Sequence, residues 1–219
     1  MENLHRVVIV GGGAGGLELA TKLGNTLGKK KIAEIILIDA KKTHVWKPLL
    51  HEIAAGSLNP DKDELEYLAQ AHWHHFKFRY GRVNEVDSQN KTVSIEPTYD
   101  IDGTEIIPLR KIKYDTLVLS VGSTVNDFNI PGAKEFAVAL DTQDQAERFH
   151  QKLHNSILRA QTQKGSVRPG QLEVVIVGGG ATGVELAAEL HKATREMTAY
   201  GLDRVNPDRD ISISLVEAS

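Results

Sequence analysis

The stretch "VVIVGGGAGGLELA" (residues 7–20) returns almost unchanged as "VVIVGGGATGVELA" (residues 174–187). In each copy a short run of β-branched residues leads into three glycines, and apolar residues at helical spacing follow. A single glycine-rich turn is weak evidence, because such turns are common. Two copies in the same strand–turn–helix context indicate two nucleotide-binding units of the α/β class.

The glycines of the first copy, Gly11, Gly13 and Gly16, match the pattern G-x-G-x-x-G. The first glycine permits a tight turn, the second lets the backbone approach a pyrophosphate, and the third lets helix and strand pack closely. The N-terminus of the following helix offers unpaired N–H groups to the diphosphate. Asp39 ends the next predicted strand, "AEIILIDA" (residues 33–40), where a carboxylate accepts hydrogen bonds from ribose hydroxyls. The alternative is a plain turn with a surface acid.

The second copy repeats the pattern with Gly178, Gly180 and Gly183, and its acid is Glu217. Glu217 lies further along the chain than the usual spacing of ~20 residues, but the stretch "REMTAYGLDRVNPDRD" supplies a longer helix and loop. An acid at this strand end favours NAD(H) over NADP(H). Two dinucleotide sites in tandem suggest one nucleotide that is held and one that is exchanged, and a flavin with a nicotinamide is the natural pair.

The composition is that of an ordinary globular chain: 219 residues, 41% hydrophobic, 25% charged and a net charge of -3. No basic stripe dominates, so nucleic acid is not an expected partner. The sequence has no cysteine, which excludes disulfides, thiolate metal sites and a dithiol relay within these residues. No apolar run approaches about 18 residues and no secretory signal is recognisable, so neither a transmembrane segment nor a signal peptide is expected.

Between the two copies, the pattern predicts mixed strands and loops, then a buried strand within residues 114–123 and a helix over 141–161. The polar stretch "TQKGSVRPGQ", broken by glycine and proline, is the best linker candidate. The prediction is therefore a first domain over residues 1–162, a linker over 163–172 and the start of a second domain over 173–219, which breaks off before a compact sheet is complete.

Four blocks carry a more specific resemblance: "GGGAGGLELATKLG", "HVWKPLLHEIAAGSL", "YDTLVLSVGSTVNDFNIPG" and "VVIVGGGATGVELAAELH". In this order they resemble the N-terminal half of the bacterial type II NADH:quinone oxidoreductases. These are single-subunit, peripheral membrane flavoproteins of the two-dinucleotide-binding-domain superfamily. The resemblance implies a Rossmann-like FAD-binding domain, a parallel sheet with antiparallel insertions, followed by the first strand–helix–strand of a Rossmann-like NADH-binding domain.

The resemblance also implies binding residues for both cofactors. The ADP half of FAD would be held by Gly11, Gly13, Ala14, Gly15, Gly16 and Asp39. Backbone groups at Val83 would meet the adenine, and the second flavin-binding turn would contain Ser120, Gly122 and Ser123. Near the flavin ring would lie Lys47, Pro48 and Leu49. NADH would be held by Gly178, Gly180, Ala181, Thr182, Gly183 and Glu217.

Two residues are candidates for a catalytic role. Glu185, two positions after Gly183, could orient the nicotinamide amide or pass a proton; the alternative is a first-turn glutamate that suits the helix dipole. Lys47 could act beside the flavin, and the alternative is a solvated loop lysine. The cluster His72, His74 and His75 lacks a completing carboxylate or cysteine, so a polar surface is expected there and no metal.

The resemblance implies an enzyme that transfers hydride from NADH to bound FAD and then two electrons to a membrane quinone, without proton pumping. The setting would be the cytoplasmic face of the bacterial inner membrane, and dimerisation is left open. In the family the later flavin-binding segment, the quinone-site motif and an amphipathic membrane anchor lie beyond residue 219. This chain alone is therefore expected to lack quinone reductase activity.

Two alternatives remain at this point. One is another FAD- and NAD(P)H-dependent oxidoreductase of the superfamily, such as an NADH oxidase or a ferredoxin reductase relative. The other is a non-catalytic flavoprotein that senses NADH. Disulfide and sulfide:quinone reductases use redox cysteines beside the flavin, and the absence of cysteine argues against both.

Overall fold

A computed structural model describes residues 4–44, 46–59 and 65–218. The chain divides into two compact units, Met1–Trp46 with Glu64–Ser123 and Lys47–Asp63 with Thr124–Ser219. The outer limits of the two predicted domains, residues 1 and 219, lie outside the described residues.

The elements are numbered in chain order. The strands are β1 (His5–Val10), β2 (Ala33–Asp39), β3 (Thr43–His44), β4 (Leu65–Glu66), β5 (Lys77–Tyr80), β6 (Val83–Asp87), β7 (Thr92–Ile95), β8 (Thr98–Tyr99), β9 (Glu105–Ile107), β10 (Arg110–Lys113), β11 (Thr116–Leu119), β12 (Glu173–Val177) and β13 (Ser212–Val216). The helices are α1 (Ala14–Leu23), α2 (Leu50–Ala55), α3 (Tyr67–Trp73), α4 (Ala133–Phe136), α5 (Gln143–Thr162), α6 (Ala181–Ala199) and α7 (Pro207–Asp210). A π-helical turn spans Gly24–Gly28 and a 3₁₀ turn spans Lys47–Leu49.

The first unit is built on a four-stranded parallel sheet in the order β11-β1-β2-β5. Both of its faces are buried, which explains why β1 and β2 read as nearly continuous apolar runs. On one face Ile9 and Leu37 pack with α1 and α3. On the other face Val8 and Ile38 pack against residues of β7. The predicted α/β class is confirmed.

The strands that cover the second face of this sheet form an antiparallel sheet in the order β10-β7-β6. These three strands are an antiparallel insertion of the kind that the family resemblance implies. The strand predicted within 114–123 is shorter than expected, because only Thr116–Leu119 pairs with β1. The remaining residues continue from the sheet edge as an irregular segment.

The glycines that follow α1, at positions 24 and 28, do not simply terminate the helix. The chain continues past Leu23 as the π-helical turn. A Cβ atom at Gly24 would lie 2.0 Å from the carbonyl oxygen of His74, and one at Gly28 would lie 2.2 Å from that of His75. These glycines therefore let two stretches of backbone pass in contact, a role that the local sequence does not reveal.

In the second unit, β12 and β13 are parallel neighbours and α6 connects them, the strand–helix–strand arrangement predicted for the second copy. The short helix α2 packs against α5 and α6. At the start of α5, Thr142 and Gln145 form a reciprocal capping box. Residues 163–172 contain neither helix nor strand, and the domain boundary expected there stays a prediction.

Across the described ranges no helix combines the length and the apolar character needed to cross a membrane.

Candidate nucleotide-binding sites

The first glycine turn joins β1 to α1 and is closed by backbone contacts. Gly11 has φ +100°, a conformation that favours glycine. Its N–H donates to the carbonyl of Ile38 at the end of β2, at 2.8 Å. A Cβ atom at Gly11 would lie 2.5 Å from the carbonyl oxygen of Ser120. The turn is thus wedged between the two strands that flank β1.

The other two pattern glycines differ in what surrounds them. A Cβ atom at Gly16 would lie 1.8 Å from the carbonyl oxygen of Gly11, so the helix and the turn pack too closely for any side chain. A Cβ atom at Gly13 or Gly15 would meet nothing within 4 Å. Gly13 caps α1 without a side-chain hydrogen bond, and the first turn of α1 contains no acid. The backbone at Gly13 and Gly15 is therefore open to the close approach that pyrophosphate binding requires.

The acid at the end of β2 is hydrogen-bonded to the turn. Oδ2 of Asp39 accepts the N–H of Gly12 at 2.6 Å, and Oδ1 accepts the N–H of Lys41 at 2.7 Å. A carboxylate has about four acceptor sites, so each oxygen keeps a lone pair for a further donor. Asp39 is therefore placed over the glycine turn with acceptor capacity left for ribose hydroxyls.

Two buried side chains also contact this turn, and the sequence analysis gave neither of them a role. The Tyr67 hydroxyl donates to the carbonyl of Gly12 at 2.6 Å, and Nδ1 of His44 lies 2.9 Å from that oxygen. Burial, and then the negative charge of Asp39, raises the pKa of the Tyr67 phenol well above its usual value. The β3–β4 pair brings Tyr67 to the turn. No local motif signals this contact, because Tyr67 and Gly12 are 55 residues apart.

The second glycine turn repeats the backbone contacts of the first between its pattern glycines and the neighbouring strand. Gly178 has φ +114°, and its N–H donates to the carbonyl of Val216 at the end of β13, at 2.9 Å. A Cβ atom at Gly183 would lie 2.0 Å from the carbonyl oxygen of Gly178. A Cβ atom at Gly180 would meet nothing within 4 Å. The two copies therefore share these backbone contacts as well as their sequence.

Glu217 occupies the position of Asp39 in this second turn. Its Oε2 accepts the N–H of Gly179 at 2.6 Å, and its Oε1 accepts the N–H of Ala218 at 2.8 Å. The hydrogen bonds from Gly179 and Ala218 lower the pKa of the Glu217 carboxyl. The long spacing that separates Glu217 from its glycines is taken up by the 19 residues of α6 and by α7.

Of the other residues expected around the flavin, Ser120, Gly122 and Val83 lie in the first unit, whereas Pro48 and Leu49 lie with Lys47 in the 3₁₀ turn of the second unit. The Ser120 hydroxyl donates to the carbonyl of Gly11 at 2.8 Å, so it holds the glycine turn. Gly122 follows with φ +75°. Val83 begins β6 at a bulge and packs against the cluster that contains Val8 and Ile38. Contact of these residues with a flavin stays a prediction.

The two candidate catalytic residues lie in the second unit. Nζ of Lys47 is 2.8 Å from Oδ1 of Asp141, so an ion pair orients this exposed lysine. Helix α6 begins at Ala181, and its first turn contains no acid. Glu185 comes after that turn. The helix-dipole explanation for Glu185 is therefore weaker than the sequence suggested, since that effect is confined to the terminal turn. Oε2 of Glu185 lies 3.6 Å from Nδ1 of His51.

The described ranges contain no group of three His, Cys, Asp or Glu residues arranged for a metal ion. His72 lies within α3, His74 caps its end and His75 follows with φ +56°. Nδ1 of His74 is 3.1 Å from the side-chain amide of Asn25. These histidines therefore belong to the surface around the π-helical turn.

The model of one family, the pyridine nucleotide-disulphide oxidoreductases, matches residues 5–216. The chain belongs to this family. It is 40% identical to a type II NADH:quinone oxidoreductase from Haemophilus influenzae over 98% of this chain and 51% of that protein. It is 29% identical to the type II NADH:quinone oxidoreductase NdhA from Mycobacterium tuberculosis, over 98% of this chain and 43% of that protein. These relatives confirm the predicted resemblance, and the chain spans about half the length of the curated relatives it matches.

Solved structures support the fold. NDH2 from Plasmodium falciparum in complex with NADH has a TM-score of 0.77 at 23% identity, over 97% of this chain and 41% of that one. The sulfide:quinone oxidoreductase from Aquifex aeolicus has a TM-score of 0.69 at 20% identity, over 97% of this chain and 43% of that one. At these identities the likeness is one of fold.

Proposed function

We propose that the chain is the nucleotide-binding half of an NADH:quinone oxidoreductase, in which the first glycine turn binds FAD and the second binds NADH. One observation carries the proposal. Two strand–turn–helix units with the same hydrogen-bond pattern, each closed by an acid, occur in a chain that is 40% identical to a type II NADH:quinone oxidoreductase. Two separate dinucleotide sites suit an enzyme that passes electrons between two nucleotides.

The first unit offers the groups that the ADP half of FAD requires. The open space at Gly13 and Gly15 lets a diphosphate approach the backbone N–H groups at the start of α1. The free lone pairs of Asp39 would accept the ribose hydroxyls. We assign the adenine to the backbone at Val83 and the second flavin contact to the turn at Gly122.

The second unit offers the equivalent groups to NADH. The space at Gly180 is open, and α6 begins at Ala181 and Thr182 without a side-chain cap. Glu217 would accept the ribose hydroxyls of the adenosine. A second negative charge, the 2′-phosphate of NADPH, would be repelled by this ionised carboxylate, so the proposal favours NADH.

FAD held by the first unit would supply the redox chemistry, the transfer of two electrons from NADH to a quinone. The chain's own part is to bind and orient the two nucleotides. We assign Glu185, whose side chain is 53% exposed, to the carboxamide of the nicotinamide, where it would fix the orientation of the ring. We assign Lys47, oriented by Asp141, to the flavin ring.

The proposal includes the wider setting expected for this protein. The first domain would run over residues 1–162 and the NADH-binding domain would begin at 173, after the linker. The protein would work as a peripheral enzyme at the cytoplasmic face of the bacterial inner membrane, with the quinone as its second substrate. It would pump no proton, and its likeness to other reductases and oxidases of the superfamily would be one of fold.

The test is an anaerobic titration with NADH of the protein purified from the full-length reading frame, followed by addition of a short-chain quinone while the flavin absorbance is recorded. Bleaching by NADH and rapid recovery with quinone is the expected result. Bleaching that recovers only in oxygen would indicate an NADH oxidase instead. Bound flavin that NADH does not bleach would contradict the proposal and favour a sensor of NADH.

A further inference from the structure

The buried histidine of α2 is left without a role by the two nucleotide sites. The His51 side chain is 10% exposed. Its Nδ1 atom is buried and, within the ranges that the structure describes, has no hydrogen-bond partner. A buried polar atom without a partner destabilises the folded state. Such an atom deserves an explanation, and its surroundings supply one.

The group that Nδ1 of His51 faces is the carboxylate of Glu185, whose Oε2 atom is 3.6 Å away. This is just beyond hydrogen-bond length, and functional hydrogen bonds are often long without ligands and tighten in the complex. Glu185 is half exposed, whereas His51 is enclosed by the packing of α2 against α5 and α6. A ligand can therefore reach the Glu185 carboxylate but not the His51 imidazole.

We propose that His51 is a positioning residue for Glu185: its Nδ1–H donates to the carboxylate and holds it in the orientation that receives the nicotinamide. The role of Glu185 toward the nicotinamide rests on the proposed function. The hydrogen bond between the two side chains does not, and it can be tested separately. A histidine is suited to this task because Nδ1 carries a proton in one neutral tautomer and in the charged form.

Other titratable groups lie around the pair on all three helices. They are Glu52 on α2, with Oε1 at 4.0 Å from Nε2 of His51, Glu189 on α6, which accepts from Ser57 at 3.1 Å, and His150 and His154 on α5, which stack on each other. Burial, and then the neighbouring His154, lowers the pKa of His150. Glu189 and His150 provide matched controls, since each sits in the same helix packing but has partners other than Glu185.

The first test uses nuclear magnetic resonance on the flavin-loaded protein without NADH, with ¹⁵N-labelled histidine. The His51 signals are assigned by their loss in His51→Asn. In Glu185→Gln their Nδ1 chemical shift should change, because the carboxylate that accepts the Nδ1–H is replaced by a neutral amide. Glu189→Gln should leave them nearly unchanged. An Nδ1 shift of His51 that is the same in the wild type and in Glu185→Gln would overturn the inference.

The second test compares two replacements of His51 in the stopped-flow reduction of flavin by NADH. Asparagine can present an N–H close to the position of Nδ1, whereas leucine cannot. His51→Leu should slow reduction about tenfold, with the limiting rate constant falling more than the affinity for NADH. His51→Asn and the control His150→Asn should stay near the wild type. In Glu185→Gln, adding His51→Leu should have little further effect.

The outcomes separate this inference from the proposed function. Failure of NADH to bleach the wild-type flavin would contradict the proposed function and leave the magnetic resonance result to stand alone. If the wild type is active and His51→Leu reduces the flavin at the same rate, the inference is overturned and the proposed function stands. If His51→Leu does not fold, the Nδ1 chemical shift of His51 in Glu185→Gln still decides.

Discussion

Oδ2 of Asp39 lies 2.6 Å from the backbone nitrogen of Gly12, so the acid that is expected to accept hydrogen bonds from the ribose also closes the glycine turn. Glu217 makes the same bond to Gly179 at the same length. In each copy the end of the second strand and the turn after the first strand thus form one hydrogen-bonded unit. A mutation of either acid removes a ligand contact and a structural contact together.

Asp39→Ala should lower the flavin content of the purified protein about tenfold, because ribose and Gly12 both lose an acceptor, which together is worth about 1–2 kcal/mol. The ratio of flavin absorbance to protein measures this. Asp87→Ala is the matched control, since Asp87 also ends a strand and accepts the N–H groups of Gln89 and Asn90. Equal flavin content in Asp39→Ala and wild type would remove Asp39 from the site.

Glu217→Ala should raise the KM for NADH about tenfold while flavin content stays constant, because the adenosine ribose loses its acceptor. Steady-state kinetics over a range of NADH concentrations provides the measurement. The control is Glu173→Ala, which removes an exposed acid at the opposite end of the same two-stranded sheet. A KM that does not respond would mean that Glu217 serves only the turn.

Gly16→Ala and Gly13→Ala should separate folding from binding. The added methyl at position 16 would meet the Gly11 carbonyl at 1.8 Å, so Gly16→Ala should destabilise the protein by about 3 kcal/mol. The methyl at position 13 meets nothing, so Gly13→Ala should fold normally and lose flavin affinity. Urea denaturation and flavin content distinguish the two effects. A stable Gly16→Ala protein would contradict the close approach.

Tyr67→Phe should destabilise the protein by about 1 kcal/mol at neutral pH, because the Gly12 carbonyl loses one of its two side-chain partners. The pKa of Tyr67 is raised in the fold, so the native state keeps a proton that the unfolded chain releases. Stability from this residue is present below pH about 10 and is lost above it. Thermal denaturation between pH 7 and 11 should show the wild type approaching Tyr67→Phe at the alkaline end.

Glu34→Gln should destabilise the protein by about 1 kcal/mol at neutral pH. Burial acts to raise the pKa of Glu34, but hydrogen bonds from Lys77 and Arg6 outweigh it and lower the pKa. A lowered pKa gives stability that is present above the usual value of 4.5 and disappears as pH falls through the folded value. Unfolding curves of the two proteins should therefore converge in acid; a constant difference would exclude this explanation.

Most of the fold near the glycine motifs could be predicted from the sequence because its causes are local. Neighbouring residues alone determine the apolar runs of β1 and β12, the turns at the pattern glycines and the helical periods of α5 and α6. The strand-end acids could be predicted as well, since parallel strands end at one edge of the sheet. Even the greater spacing of Glu217 follows from a longer helix.

What the sequence could not indicate depends on contacts between distant segments. Tyr67 and His44 reach Gly12 only because β3 pairs with β4, and these are strands of two residues without a pattern of their own. The contact of His51 with Glu185 depends in the same way on how α2 packs against α6. Glycine commonly ends a helix, but the role of Gly24 and Gly28 is set by the backbone at His74 and His75, which passes in contact with them.

The division of the chain has a consequence for how this protein is synthesised. The backbone passes from one compact unit to the other after residues 46, 63 and 123, so neither unit is a continuous stretch of sequence. Helix α2 leaves the ribosome well before α5 and α6, the helices it packs against, which span Gln143–Thr162 and Ala181–Ala199. Its apolar face therefore stays uncovered while the first unit is synthesised. A shortened chain that stops before α5 would keep that face exposed and should depend on chaperones to remain in solution.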